Sequence, residues 1–402
     1  MDDTKSKNRA ALLTVFIIIG MSFIYISQIN PSAVLTMIEE EYGINSAAST
    51  LGISIIYAPI ILFSITGTYI LDRIGLKKMF ALTLLANSVG VTMNLIASSF
   101  IVFLVGRVFY GIGFGLSVPF IAAAIMHWYS PKGQVTMDCV NAIFPYATNI
   151  IVFGLTIPMV SWFSGSWKMA LAFWGILCFV VLIFWQICVR DEGSMKGAAE
   201  EDAAEKGVYS NVIKRKEIIL LTLIFIFDYL CFSVVTALLP TFLQRDYGVS
   251  IELANNLTMI FPIAGVIAIL CAFLYMNQTG RRKPTIVLGQ FAKVIGVLLV
   301  YFGGNSIAGY IGIGCIGVGV SVWAPACLVV PMDLEDMTPT RVGAAFSMIM
   351  TFGFITALVA PVIAGYLSEV FSYGFAIFIC AIPCVIGVIC SLLLRETGPS
   401  VK

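Results

Sequence analysis

Twelve apolar runs, each long enough to be a helix of about twenty residues, leave this chain little choice of fold. They lie near residues 11–34, 50–71, 79–98, 100–127, 135–160 and 168–189, then near 217–241, 253–276, 284–303, 306–330, 342–368 and 373–394. A hydrocarbon layer about 30 Å thick takes about 20 helical residues to cross, and the helix keeps its own peptide groups hydrogen-bonded there. The expected fold is an all-α membrane protein with twelve transmembrane helices. Composition points the same way: of 402 residues, 59% are hydrophobic and 11% charged, whereas soluble domains carry about 25% charged residues. A net charge of +1 argues against nucleic acid as a partner and leaves the lipid bilayer as the expected one.

The longest polar stretch, from Arg190 to Glu217, divides the runs into two sets of six. The expected domains are 1–189, a linker over 190–216, and 217–402. If both termini are cytoplasmic, 19 of the 23 Lys and Arg fall in cytoplasmic tails and loops, which fits the positive-inside rule for an even number of spans. The polar start MDDTKSKNR lacks a small-residue cleavage site, so the first run reads as a retained helix. An internal repeat supports the halving. EEEYGINSAASTL from Glu39 recurs as QRDYGVSIELANNL from Gln244, and DRIGLKK around Gly75 answers NQTGRRK around Gly280, both 205 residues on. GFGLSVP from Gly113 answers GVGVSVW from Gly317, 204 residues on. Such repeats predict two pseudo-symmetric six-helix bundles related by an axis along the membrane normal, with a binding site between them. The ten cysteines lie in apolar runs and His127 is the sole histidine. They read as packing residues, and neither a metal site nor a cofactor is implied.

GTYILDRIGLKK, from Gly67 to Lys78, resembles the signature loop of the major facilitator superfamily, G-x-L-a-D-R-x-G-R-K. Asp72, Arg73, Gly75 and Lys77 match, while Thr68 and Leu76 depart from the pattern. GRVFYGIGFG, from Gly106 to Gly115, resembles the family's R-x-x-x-G-x-G through Arg107, Gly111 and Gly113. With twelve spans and a central loop, the resemblance covers the whole chain and implies a monomeric secondary carrier working by alternating access. It makes Asp72, Arg73, Gly75 and Lys77 a conformational latch, with Arg281 in a second copy where Asn277 replaces the acid and the two latches contribute unequally. The drug-antiporter pattern G-x-x-x-G-P-x-x-G-G is missing from the fifth span, which favours uptake or exchange over efflux.

Charges inside the apolar runs are the sharpest functional candidates, because each is expensive in hydrocarbon. Arg107 could couple substrate or protons, or make a structural pair. Asp228, mid-way along the seventh span, could carry a coupled proton, line the cavity or belong to an ion pair, with Arg107 its natural partner. Lys293 lies in a ninth span that the family packs on the outside, so it reads as a structural pair or a snorkelling cation. Gln28 and Asn30 before the helix-breaking Pro31, Asn141, Tyr146 and Asn149 in the fifth span, and Ser321 and Trp323 in the tenth complete the candidates. Each could instead satisfy a backbone group between helices. The reading is a symporter or exchanger of a small organic solute, tilted toward organic anions by its buried cations, with protons or a counter-ion as partners, in a plasma membrane. A drug or metabolite efflux antiporter and a transport-dead membrane sensor are the alternatives. No catalytic constellation accompanies His127, so no enzyme is expected.

Overall fold

The computed structural model describes residues 2–129, 131–189, 212, 214–337 and 339–398. The expected linker at 190–216 therefore lies largely outside the described residues, which include only 212 and 214–216 of it. The first half contains α1 (Asp2–Ile29), α2 (Leu35–Tyr42), α3 (Ser46–Ser54), α4 (Tyr57–Thr92), α5 (Phe100–Trp128), α6 (Pro131–Trp162) and α7 (Trp167–Cys188). The second half contains α8 (Lys216–Tyr247), α9 (Ile251–Thr258), α10 (Ile260–Thr279), α11 (Lys283–Gly303), α12 (Ile307–Ser321), α13 (Ala324–Asp333), α14 (Pro339–Val370), α15 (Tyr373–Phe378) and α16 (Ala381–Leu393).

Eleven helical stretches among the described residues are long and apolar enough to cross a membrane. One of them, Ser46–Ile96, runs for 51 residues. A straight helix of that length would be about 75 Å long, more than twice the hydrocarbon thickness. It breaks inside α4 at Gly75, whose φ of 79° and ψ of 168° are not helical, so it holds two spans and the total is twelve. The chain is an all-α membrane protein of twelve spans. Only 33–65% of the most apolar 18-residue window in each stretch is buried within the protein. Large apolar side chains such as Ile101, Phe302 and Ile307 point outward, which suits lipid as the surrounding solvent.

The described chain separates into two compact units, residues 1–31 with 55–204 and residues 32–54 with 205–402. The segment 32–54, carrying α2 and α3, thus packs within the second unit. Its attachment is polar. Glu369 accepts hydrogen bonds from the Ala47 amide at 2.8 Å and the Asn45 side chain at 3.2 Å, placing a carboxylate at the N-terminus of α3. Arg245 lies 3.6 Å from Glu39 and 3.7 Å from Glu40, and Asn255 donates to the Ala33 carbonyl at 3.0 Å. Backbones also meet: a Cβ on Gly365 would stand 2.4 Å from Thr50 Oγ1 and 2.6 Å from the Ser46 carbonyl.

The internal repeat shows in the backbone. Gly43 and Gly248, and Gly75 and Gly280, all have positive φ, a conformation glycine adopts without steric cost. Each unit also has a glycine seam between neighbouring helices. In the first, Gly90 of α4 abuts Gly106 of α5, where a Cβ on Gly106 would stand 2.7 Å from the Gly90 carbonyl. In the second, Gly289 and Gly296 of α11 face Gly319 and Gly312 of α12, with Cβ approaches of 2.5–2.9 Å to backbone atoms. The seams correspond at a spacing of 206 residues, so Gly113 answers Gly319 rather than the expected Gly317, and Asn87 beside Gly113 in the first unit is the counterpart of Lys293 beside Gly319 in the second.

Candidate functional site

In the first unit the site grows from a broken helix. Proline has no N–H, so Pro31 cannot donate to the Ser27 carbonyl four residues earlier, and α1 gives way to a 3₁₀ turn over Asn30–Val34. Arg107 of α5 supplies the missing donors, with Nη1 at 2.8 Å from the Ser27 carbonyl and Nη2 at 2.7 Å from the Gln28 carbonyl. Tyr110, one turn along, donates to the Ile24 carbonyl at 2.8 Å, and the Arg107 guanidinium lies 5.0 Å from its ring centroid. Arg107 is only 5% exposed. The glycines that follow it permit this closeness, since a Cβ on Gly111 would stand 2.5 Å from the Ile56 carbonyl.

Aromatic walls and unspent polar atoms lie along α1, α5 and α6 of this unit. Tyr25 meets Phe114 edge-on and stacks on Phe144, with ring centroids 5.4 Å and 6.0 Å apart. Gln28 Nε2 is 3.4 Å from the Tyr57 hydroxyl, at the long limit of a hydrogen bond. Asn30, Asn94, Arg107 and Tyr110 line a cavity of about one water molecule's size. Asn30 Oδ1, Asn141 Oδ1 and Asn149 Nδ2 find no hydrogen-bond partner among the described residues. Tyr146 is buried on the same helix as Asn141 and Asn149.

In the second unit the tenth-span candidates spend their polar atoms on their own chain segment. Ser321 Oγ donates to the Gly317 carbonyl at 2.6 Å, and Trp323 Nε1 donates to the Val320 carbonyl at 3.0 Å. What Trp323 offers is its ring, edge-on to Phe225 at 5.3 Å; Phe225 stacks on Tyr229, which meets Phe354 at 5.8 Å. Asp228 does not pair with Arg107. Its Oδ1 is bound by Lys293 Nζ and its Oδ2 accepts from Gln290 Nε2 at 2.9 Å. Lys293 does not snorkel, being completely buried. Gln290 was not among the sequence candidates, although its place three residues before Lys293 in an apolar helix was a visible signal.

The signature loop of the first half is tied to the sixth span. Gly75 makes the turn, Lys77 Nζ donates to the Gln186 carbonyl at 3.1 Å, and Trp185 Nε1 donates to the Lys77 carbonyl at 2.9 Å. Arg73 lies over the Tyr69 ring and hydrogen-bonds its hydroxyl, and Asp72 is half-buried. The second copy is charged despite Asn277. Arg282, rather than the exposed Arg281, pairs with Asp333 at 3.3 Å. Glu396 accepts from the Arg282 amide at 2.7 Å and the Lys283 amide at 3.2 Å, capping α11. Sequence spacing missed these acids because they come from distant segments.

The family model described as Major Facilitator Superfamily matches residues 12–334 and, in a second match, 221–402. The chain belongs to the major facilitator superfamily. It is a multi-pass membrane transporter. This facilitator is 24% identical over 318 residues to the sialic acid transporter NanX of Escherichia coli (strain K12), covering 77% of this chain and 75% of that one. It is 20% identical over 308 residues to the uncharacterized transporter YycB of Bacillus subtilis (strain 168), covering 74% and 72%. Its fold matches the inward-facing, unoccupied crystal structure of a bacterial homolog to the human lysosomal transporter Spinster, with a TM-score of 0.81 at 13% identity over 96% of this chain and 97% of that one. It also matches a D-xylose–proton symporter with a TM-score of 0.75 at 15% identity over 97% and 99%.

Proposed function

We propose that this facilitator is a proton- or ion-coupled symporter, or an exchanger, of a small hydroxylated organic anion. It works as a monomer by alternating access, in a plasma membrane with both termini cytoplasmic. The observation that carries this reading is Arg107, a buried cation aimed at a helix break and set over the Tyr110 ring. A guanidinium has five N–H donors in a fork that suits carboxylates. The amides of Asn30, Asn141 and Asn149 have atoms left for hydroxyl groups. NanX is named for sialic acid, a sugar bearing a carboxylate, which unites both features.

Purified protein in liposomes should be offered radiolabelled sialic acid, gluconate, D-xylose and uridine, with and without an imposed pH gradient. Accumulation of one or both acids, raised by the gradient or by trans-loaded acid, is expected. Accumulation of the neutral sugar or nucleoside alone would refute the anion reading while leaving the transporter assignment intact.

A further inference from the structure

We infer that Asp228, Gln290 and Lys293 form a fixed structural clip between α8 and α11, in which Asp228 stays paired with Lys293 and is not the site of the coupled proton. The three side chains close a ring. Lys293 Nζ binds Asp228 Oδ1 and donates to Gln290 Oε1 at 2.8 Å, while Gln290 Nε2 donates to Asp228 Oδ2 at 2.9 Å. Every member has two partners, and both carboxylate oxygens are occupied by donors. A proton arriving on the carboxylate would break this pairing and strand the ammonium in hydrocarbon.

Packing removes the freedom that a proton carrier needs. Lys293 and Gln290 are fully buried, and Asp228 is 1% exposed. Gly319 of α12 presses on the Lys293 backbone, where a Cβ would stand 2.5 Å from the lysine nitrogen. Gly387 of α16 sits against Gln290, its Cβ position 2.5 Å from Oε1. The Lys293 backbone and the Gln290 side chain are thus each pressed by a glycine of a neighbouring helix. The other titratable groups facing the ring are thiols, Cys231 on α8, Cys327 on α13 and Cys384 on α16. No second carboxylate or histidine faces it among the described residues.

The first unit shows that the position itself does not demand a charge. Asn87, the counterpart of Lys293, is a fully buried neutral amide whose side chain and backbone both lie against Gly113 of the next helix. The charged pair is thus one solution to joining these helices. It fixes the rotation of α8, and with it the face carrying Phe225 and Tyr229 toward Trp323 and Phe354. Gln290 and Lys293 are positioning residues.

The decisive property of a clip is mutual neutrality, so charges can be removed together but not singly. Five forms of the full chain are compared: wild type, Asp228→Asn, Lys293→Gln, the double neutral variant, and the swapped pair Asp228→Lys with Lys293→Asp. Each is measured by thermal unfolding in detergent at about pH 5.5 and about pH 8, two conditions between which a carboxyl raised by burial would change its charge. Each single variant should lower Tm by about 5 °C or more, and the double variant should recover most of that loss. The difference between wild type and double variant should be the same at both pH values. The four labelled compounds above, presented to the double variant, should give the wild-type pattern of accumulation and the same response to a pH gradient. A double variant that exchanges an acid but no longer accumulates it from a pH gradient would overturn the clip and make Asp228 the proton site. Single variants as stable as wild type, or failure of both paired variants to insert, would overturn it as well.

Discussion

Arg107 stands in for the N–H that Pro31 does not have. Its Nη1 sits 2.8 Å from the Ser27 carbonyl, the acceptor that a non-proline residue at 31 would have served through its own amide. The charge that makes Arg107 a substrate candidate is therefore also the repair of a broken helix. Removing one buried partner leaves the other unsatisfied, at about 1–3 kcal/mol per group. Arg107→Met should accordingly destabilise the protein, and Pro31→Ala should recover part of the loss in that background while doing little alone. Thermal unfolding of the four proteins in the cycle measures the coupling; simple additivity would show that the two residues are energetically independent.

Gly75 has φ of 79° and ψ of 168°, a region almost closed to residues with a Cβ. Gly75→Ala should cost about 1–3 kcal/mol locally. The strain would be felt at the turn that Lys77 and Trp185 tie to the sixth span, so unfolding should begin at lower temperature. Proteolysis at the 72–78 loop should also quicken, and an unchanged cleavage rate would argue that the turn is not what the glycine serves.

Gly365→Val would drive a side chain into Thr50 and the Ser46 carbonyl, backbone that cannot yield without moving α3. A Ser46→Cys reporter, labelled with a membrane-impermeant maleimide, should react several-fold faster in the Gly365→Val background. If its rate stays the same, the segment 32–54 is held by more than this contact.

Two carboxylates at helix ends should differ in worth. Glu40 is exposed and shares Arg245 with Glu39, so Glu40→Gln should change stability by no more than about 1 kcal/mol. Glu396 accepts two backbone N–H groups at the start of α11, and Glu396→Ala should cost about 0.5–2 kcal/mol. Comparing the two unfolding midpoints at low and high salt separates them, because only the exposed pair should be screened.

The twelve spans, the repeat and the family could be read from residue order because each rests on local apolar length or fixed spacing. Gly75 was legible for the same reason, being one position in a pattern. Partner choice was not. Lys293 lies 65 residues from Asp228, and nothing local says which buried cation a buried acid will meet. Ser321 and Trp323 looked like ligands by residue type, yet their polar atoms close onto carbonyls four and three residues back. That outcome is common for a hydroxyl in a helix, where the nearest acceptor lies one turn away.

The seam between α11 and α12 sets where this protein can change. Gly289 and Gly296, and opposite them Gly312 and Gly319, admit no methyl group without displacing backbone. On the outer side of α11, Leu288, Phe291 and Ile295 are 44–55% exposed toward lipid, where any apolar residue of similar size serves equally well. A single helix thus combines two tempos of divergence, frozen every seventh residue on its inner edge and nearly free to drift on its outer one.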